Sequence, residues 1–280
     1  FSISVVIPTF NRSDLLQRAI KSVMKQSLKP DEIIVIDDGS TDTTKSMIKN
    51  NFPQIKYFNN KKKGVSSARN LGILKSSCNW ICFLDSDDEW NECKLSKQRD
   101  YIKKNIHARF IHTNEIWYKN GKLFNQKKIH KKVGGFIFEN CLKLCCISPS
   151  SVMIRRDLFR ECGNFDENFE VCEDYELWLR ISSKSKIDFL EEKLLIKHGG
   201  HKDQLSKMFW GMDRFRVKAI EKNLIKNIFS KNKINLALKH LLLKIDIIMM
   251  GAKKRKNVYI YNKYLKKQKY WNLRLNSTAL

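Results

Sequence analysis

The 280-residue sequence lacks any apolar run that could cross a bilayer: the one long stretch near its end, Leu241 to Met250, is broken by Lys244 and Asp246. The opening residues also lack the basic, apolar and small-residue succession of a secretory signal, and pass directly into the strand-like run Ile3-Ser4-Val5-Val6-Ile7. A cytoplasmic location is the resulting expectation. Paired Cys-x-x-Cys spacings are missing as well. The eight cysteines, at 78, 82, 93, 141, 145, 146, 162 and 172, suit neither a zinc knot nor a small disulfide framework, and read as reduced, mostly buried thiols. Acidic residues are scarce, 29 against 54 Lys and Arg, which leaves a formal net charge of +25. The excess is mostly lysine and is spread along the chain instead of gathered in one stripe, which argues against nucleic acid as a partner. It suits anionic lipid headgroups or phosphorylated substrates, and equally a lysine-rich coding bias. With 42% hydrophobic residues the chain can bury a full core, enough for one large domain plus an appendage.

The first hundred residues alternate short β-branched runs with helical patterns. Runs at Ile3–Ile7, Ile33–Ile36, Ile55–Phe58 and Ile81–Leu84 are separated by helices expected over about 14–26, 41–49 and 66–74, the mark of βαβ units and a parallel sheet. Beyond Asp88 the pattern loosens. A basic helix over about 93–104 precedes an alternating segment from Arg109 to Tyr118, and Asn120-Gly121 signals a hairpin. A helical stretch near 136–145, a strand near 152–154, a turn at Cys162-Gly163-Asn164, a helix over 173–184 and a strand over 187–190 complete the sheet's second half. From Asp203 onward the pattern is helical and basic, and packs on the domain or extends from it.

Acids close two of the apolar runs. Ile33–Ile36 ends in Asp37-Asp38, and Trp80–Leu84 ends in Asp85-Ser86-Asp87-Asp88-Glu89. In an open α/β sheet, ligands bind beyond the carboxyl ends of the strands, so these acids sit where a cofactor is expected. Like charges about 6 Å apart repel by roughly 3 kcal/mol at an effective dielectric near 20, a cost relieved by protonation, a partner side chain or a metal. Hard oxygen ligands of this kind hold Mg²⁺ or Mn²⁺ beside a nucleotide. The same residues also suit acidic turns that cap the following helices. Gly64-Val65-Ser66-Ser67-Ala68-Arg69 adds a glycine turn, helix N–H donors and an arginine, the groups that hold a diphosphate.

A candidate base comes from the helix that opens at Glu173-Asp174. Asp174, Leu177, Trp178 and Ile181 fall on one face, and Glu173, Glu176 and Arg180 on another, so Asp174 is expected to point inward. A carboxylate among apolar neighbours loses hydration and becomes a better proton acceptor. Acids in a first turn also serve simply to complement the helix N-terminus.

The chain resembles the family 2 glycosyltransferases of GT-A fold. The matching pieces are Val6-Ile7-Pro8-Thr9-Phe10-Asn11-Arg12, Ile36-Asp37-Asp38-Gly39-Ser40-Thr41-Asp42, Gly64 to Gly72, Phe83-Leu84-Asp85-Ser86-Asp87-Asp88, and Gly163-Asn164-Phe165-Asp166 followed by Cys172 to Arg180. The resemblance covers about Ile3 to Ser206 and implies an α/β fold: a central, mostly parallel sheet flanked by helices, with a helical C-terminal extension. It implies inverting, metal-dependent transfer of a sugar from a nucleotide-diphosphate donor, usually a UDP-sugar, to a hydroxyl of a glycan or lipid-linked acceptor. By position, Pro8, Thr9 and Asp37 would contact the nucleoside, with Asp38 nearby and Arg69 near the diphosphate. Asp85 would face ribose and metal, Asp87 would ligate Mn²⁺ or Mg²⁺, and Asp174 would be the base. In His198-Gly199-Gly200-His201, which looks like a loop of some bacterial members, His201 would complete the metal site.

The Gln-x-x-Arg-Trp motif of processive members is missing, which favours single addition over polymerisation. Residues 1–204 form the expected catalytic domain, 1–104 for the nucleotide and 105–204 for the acceptor, with 205–280 a basic helical extension. Leu241–Met250 followed by Lys253-Lys254-Arg255-Lys256 suits peripheral docking at the inner face of a membrane, or a packed terminal helix. The competing functions are a nucleotidyltransferase built on the same acids, to be told apart by turnover of a nucleoside triphosphate, and a non-catalytic surface-binding module. The latter has no need of the acids.

Overall fold

A computed structural model describes residues 1–200 and 208–278. Its centre is a nine-stranded mixed sheet, formed by β1 (Ile3–Thr9), β2 (Glu32–Asp37), β3 (Lys56–Asn59), β4 (Trp80–Phe83), β5 (Glu89–Trp90), β6 (Phe110–Lys119), β7 (Lys122–Leu123), β8 (Met153–Arg155) and β9 (Asp188–Gly199). The order is β3-β2-β1-β4-β8-β6-β9-β5, with β7 on β6. Strands β1 to β4 pair in parallel, and β8 inserts antiparallel between β4 and β6. This returns β6 and its parallel partner β9 to the direction of β1, so the carboxyl ends of β1, β2, β4, β6 and β9 share one edge.

Alternation along the strands sorts side chains to two faces. Val5, Ile7, Val35, Cys82, Leu84 and Met153 pack against helices α1 (Ser13–Met24), α2 (Thr44–Asn51) and α4 (Lys94–Lys104). Val6, Ile34, Ile36, Ile81, Phe83 and Ile154 face the other way, onto α3 (Val65–Lys75), α5 (Phe138–Lys143), α6 (Asp157–Cys162) and α7 (Glu173–Ser182). Among the described residues that follow lie α8 (Asp213–Ile225), α9 (Lys231–Lys254) and α10 (Val258–Thr278). Their Val217, Ile220, Leu224, Leu238, Leu241, Ile245 and Trp271 join the core that holds Tyr175, Leu177 and Trp178 of α7. Of the two fates open to this region, it packs on the domain.

The expected hairpin is present, with Asn120 and Gly121 both at positive φ (51° and 76°) and Lys119 paired with Lys122. The strand and the loop expected before and at His198 need correction. The strand expected over 187–190 runs on to Gly199, because register shifts around Asn114 carry the β6–β9 ladder past the polar run Glu191-Glu192-Lys193. His198 therefore lies in a strand and not in a loop. Helix α7 has no solvent face opposite Asp174, since α8 covers it. Glu176 is fully buried there, paired with Arg180 (2.7 Å) and Lys222 (3.0 Å), and accepts a hydrogen bond from Asn223 (3.3 Å).

Candidate active site

The edge shared by β1, β2 and β4 gathers the residues singled out from the sequence. Register places Pro8 beside Ile36 and Thr9 beside Asp37, and the Asp38 N–H donates to the Thr9 carbonyl (2.8 Å). Thr9 Oγ1 is buried without a partner among the described residues, while the next side chain, Phe10, is 50% exposed at the rim. Asp37 folds its own turn: Oδ1 accepts from the N–H groups of Gly39 (3.2 Å) and Ser40 (2.8 Å), and Oδ2 from the Tyr57 hydroxyl. Burial and the Asp37 carboxylate raise the Tyr57 pKa, so that hydroxyl keeps its proton and donates. Asp38 accepts from Asn60 Nδ2 and from the Gly64 N–H, both at 2.7 Å, which pins the loop before α3. These two acids thus shape the loops at the carboxyl ends of β1 and β2.

The acids after β4 repel one another as expected, and side chains already answer that repulsion. Asp85 meets Arg69 (2.7 Å), Asp87 meets Arg12 (3.1 Å), and Glu89 meets Arg18 (3.3 Å) and His198 (2.7 Å). Asp88 is buried, accepts a hydrogen bond from the Ser150 hydroxyl (2.7 Å) and lies 3.7 Å from Lys197. Burial, with Asp87 and Asp85 adding to it, pushes Asp88 up to about 7 despite Lys197. Burial works in the same direction at Asp85, but Arg69 and Lys197 hold its carboxyl below the usual range. Lys197 in turn is held protonated: the pull of Asp88, Glu115, Asp85 and Asp87 outweighs its burial.

Arg69 does not stand free to meet a diphosphate, as the sequence led us to expect. It is buried beneath the site, with one Nη on Asp85 and the other on Glu173 Oε1 (2.5 Å). Both ends of its fork are committed to carboxylates, so it ties the end of β4 to the start of α7. Burial pushes Glu173 up to about 7 even with Arg69 against it. The strut carries the next residue, half-buried Asp174, to the same place, near enough to act electrostatically on Arg69. Asp174 Oδ1 accepts from the Tyr175 N–H (2.6 Å), and Oδ2 from the Cys145 thiol (3.1 Å).

The segment Ser148–Ser151 forms a 3₁₀ turn over Pro149–Ser151. Its Ser150 Oγ accepts from the Asp85 N–H (3.0 Å) while donating to Asp88, so the turn is built into the acid cluster. The lysine-rich 122–132 segment ends in a buried residue, Lys132, 3.0 Å from buried Glu115. Sequence reasoning missed Arg12, Arg18, Ser150, Lys197, Lys132 and Cys145 as parts of this site. Of these, Arg12 lay within a stretch that drew notice for its motif, and Lys197 directly precedes the His-Gly-Gly-His run.

As ligands for a divalent cation, Asp85 and Asp87 offer hard oxygens and keep partial exposure, 26% and 15%. Among the described residues no group of three or more His, Cys, Asp and Glu side chains is arranged to hold a metal. An ion held by these two carboxylates would take its remaining ligands from phosphate and water. His201 lies outside the described residues. A separate groove of about 610 Å³ runs along β3 and α3, lined by Phe58, Lys61, Leu71, Leu74 and others, and none of the acids after β4 lines it.

The fold and sequence have clear relatives. The structure superposes on the crystal structure of Staphylococcus aureus TarS 1–349 in complex with UDP-GlcNAc with a TM-score of 0.65 at 16% identity, covering 96% of this chain and 92% of that one. The GT-A architecture that the resemblance implies is the one found. An uncharacterized glycosyltransferase of Rickettsia conorii is 37% identical over 196 residues, which are 69% of this chain and 32% of the relative. The chain spans about a third of the length of the first Rickettsia relatives it matches. The Escherichia coli protein WfgD, named as a UDP-Glc:alpha-D-GlcNAc-diphosphoundecaprenol beta-1,3-glucosyltransferase, is 31% identical over 195 residues, 67% of this chain and 72% of that protein. The model of the family described as "Glycosyl transferase family 2" matches residues 4–163, more than half of the sequence, and with these relatives it establishes that the chain belongs to glycosyl transferase family 2.

Proposed function

We propose that residues 1–204 form a catalytic unit that transfers a single sugar, with inversion, from a UDP-sugar to a hydroxyl of a glycan or lipid-linked acceptor. One observation carries this reading: Arg69 ties Asp85 to Glu173, and so sets the acid edge of β4 opposite Asp174. The donor and acceptor classes follow WfgD, whose name specifies UDP-Glc and a diphosphoundecaprenol-linked sugar. Thr9, with its orphan hydroxyl, Pro8 and the turns shaped by Asp37 and Asp38 form the nucleoside end, and Asp85 faces the ribose. Asp87, with Asp85, would hold Mn²⁺ or Mg²⁺, and the ion would neutralise charge on the departing diphosphate. Asp174 takes the proton of the acceptor hydroxyl as its oxygen attacks the anomeric carbon. The bond from that carbon to the diphosphate breaks on the opposite side, and UDP leaves.

The test uses UDP-glucose with a synthetic alkyl-diphosphate GlcNAc acceptor, and calorimetry with UDP and Mn²⁺. Asp174→Asn should abolish transfer while UDP binding persists, and Asp87→Ala should weaken Mn²⁺-dependent UDP binding. A fully active Asp174→Asn would refute the assignment of the base.

Peripheral membrane contact is part of the proposal. It is supported by exposed Leu243, Ile247 and Met250 along one side of α9, which ends in Lys253-Lys254. Binding to phosphatidylglycerol vesicles that weakens when Ile247 becomes Glu supports this contact, and equal binding by both forms refutes it.

A further inference from the structure

Four of the eight cysteines, Cys141, Cys145, Cys146 and Cys172, surround the start of α7, and one of them touches Asp174. The thiol of Cys145 donates to Asp174 Oδ2 at 3.1 Å, with a longer contact to the Ile147 carbonyl (3.6 Å). The backbone that carries this thiol is fastened to the helix that carries the acid. Tyr175 Oη donates to the Leu142 carbonyl (2.9 Å) and Trp178 Nε1 to the Ile147 carbonyl (3.1 Å), one fastening on each side of Cys145. From outside, Lys244 of α9 donates to the Lys143 carbonyl (2.9 Å).

Resting on the reading of Asp174 as the base, we propose that Cys145 is a positioning residue, whose thiol fixes the rotamer of the Asp174 carboxylate for proton abstraction. Two anchors hold that carboxylate, the Tyr175 N–H on Oδ1 and the thiol on Oδ2. Each oxygen has a second lone pair left for an acceptor hydroxyl. Burial and the neighbouring Asp174 charge push the Cys145 thiol well above its ordinary range, so it remains a neutral donor and a poor nucleophile. A thiol is also a weak donor. It orients the carboxylate and leaves a lone pair on each oxygen, an arrangement suited to a base that must be held still.

Cys145→Ala removes the anchor and leaves the fastened backbone in place. Misplacement of a reacting group by about 1 Å costs up to about a hundredfold, and a freed rotamer is expected to cost roughly tenfold in kcat. KM for UDP-glucose and the calorimetric affinity for UDP with Mn²⁺ should not change. Cys145→Ser restores a donor and should recover kcat to within about threefold. A crystal structure of Cys145→Ala should show the Asp174 carboxylate in more than one rotamer, a readout independent of turnover. A wild-type kcat in Cys145→Ala, or an unchanged single Asp174 rotamer, would overturn the proposal. So would equal losses in both variants accompanied by weakened UDP binding, the pattern of a purely structural role. Asp174→Asn separates the two failures: if it is inactive while Cys145→Ala is normal, only the thiol's role falls, whereas an active Asp174→Asn removes the reading beneath it.

Discussion

Replacing Arg69 by methionine tests the contact on which the geometry of the site depends. The substitution keeps most of the side-chain volume and deletes two charge-assisted hydrogen bonds, of 2.7 Å to Asp85 and 2.5 Å to Glu173. At about 1.5–3 kcal/mol each these sum to about 3–6 kcal/mol, in keeping with the 3–5 kcal/mol typical of breaking a buried ion pair from one side. The loss should depend on pH, because Glu173 titrates at about 7 in the folded protein, above its ordinary 4.5. Without Arg69 that value rises further. A raised folded pKa means that the native state binds more protons than the unfolded chain through this window, so the variant regains stability as pH falls. Urea unfolding followed by far-UV circular dichroism should show a deficit of about 3–5 kcal/mol at pH 8 that narrows by about 1–2 kcal/mol at pH 5.5. A deficit below about 1 kcal/mol, the same at both pH values, would refute the strut. Loss of UDP binding in a variant of wild-type stability would show instead that Arg69 meets the diphosphate.

Lys94 is fully buried without an acidic partner among the described residues, donating to Gln98 Oε1 (2.8 Å) and lying 4.0 Å from the centre of the Trp90 ring. Burial pulls its pKa down from 10.5 to about 8, so the unfolded chain binds more protons between those values and stability rises with pH across that window. At pH 7 the buried charge costs about 3 kcal/mol. Lys94→Met should therefore gain about 1–2 kcal/mol at pH 7, after the loss of the Gln98 bond, and nothing at pH 10.5; a gain independent of pH in urea titrations would contradict this. Gly72 lies where α3 crosses β1, and a Cβ there would stand 2.2 Å from Val6 Cγ1. Gly72→Ala should lower stability by about 1–3 kcal/mol, although glycine-to-alanine in an open helix gains about 1 kcal/mol; a raised melting temperature would refute the clash.

What could be read in the sequence was local. Apolar runs that stop in acids announced β2 and β4 and placed Asp37, Asp85 and Asp87 on one edge, and Asn120-Gly121 announced its turn. What could not be read depends on elements far apart in the chain. The partner that satisfies Asp87 is Arg12, 75 residues earlier, and the one that satisfies Glu173 is Arg69, 104 residues earlier. A motif shows a cluster of acids but not which cations fold back onto it, so Arg69 reads as a ligand when it is a brace. Period alone likewise misleads on α7, because its polar face is buried, Glu173 against Arg69 and Glu176 beneath α8, while Asp174 keeps partial exposure. The polar run Glu191-Glu192-Lys193 hid the continuation of β9, whose bulged pairing with β6 no alternation rule anticipates.

The burial of Glu176 by α8 bears on how this protein should be handled at the bench. A boundary drawn after residue 204, where the expected catalytic domain ends, would amputate Lys222 and Asn223 and leave the Glu176 carboxylate with Arg180 alone on the back of the helix that bears Asp174. It would also strip the Val217, Ile220 and Leu241 side chains from Leu177 and its neighbours, and open an oily wound. A clone trimmed to that minimal span should come out of expression insoluble, whereas one that retains the chain through α10, whose Trp271 shares this core, preserves the scaffold on which any assay of the site relies.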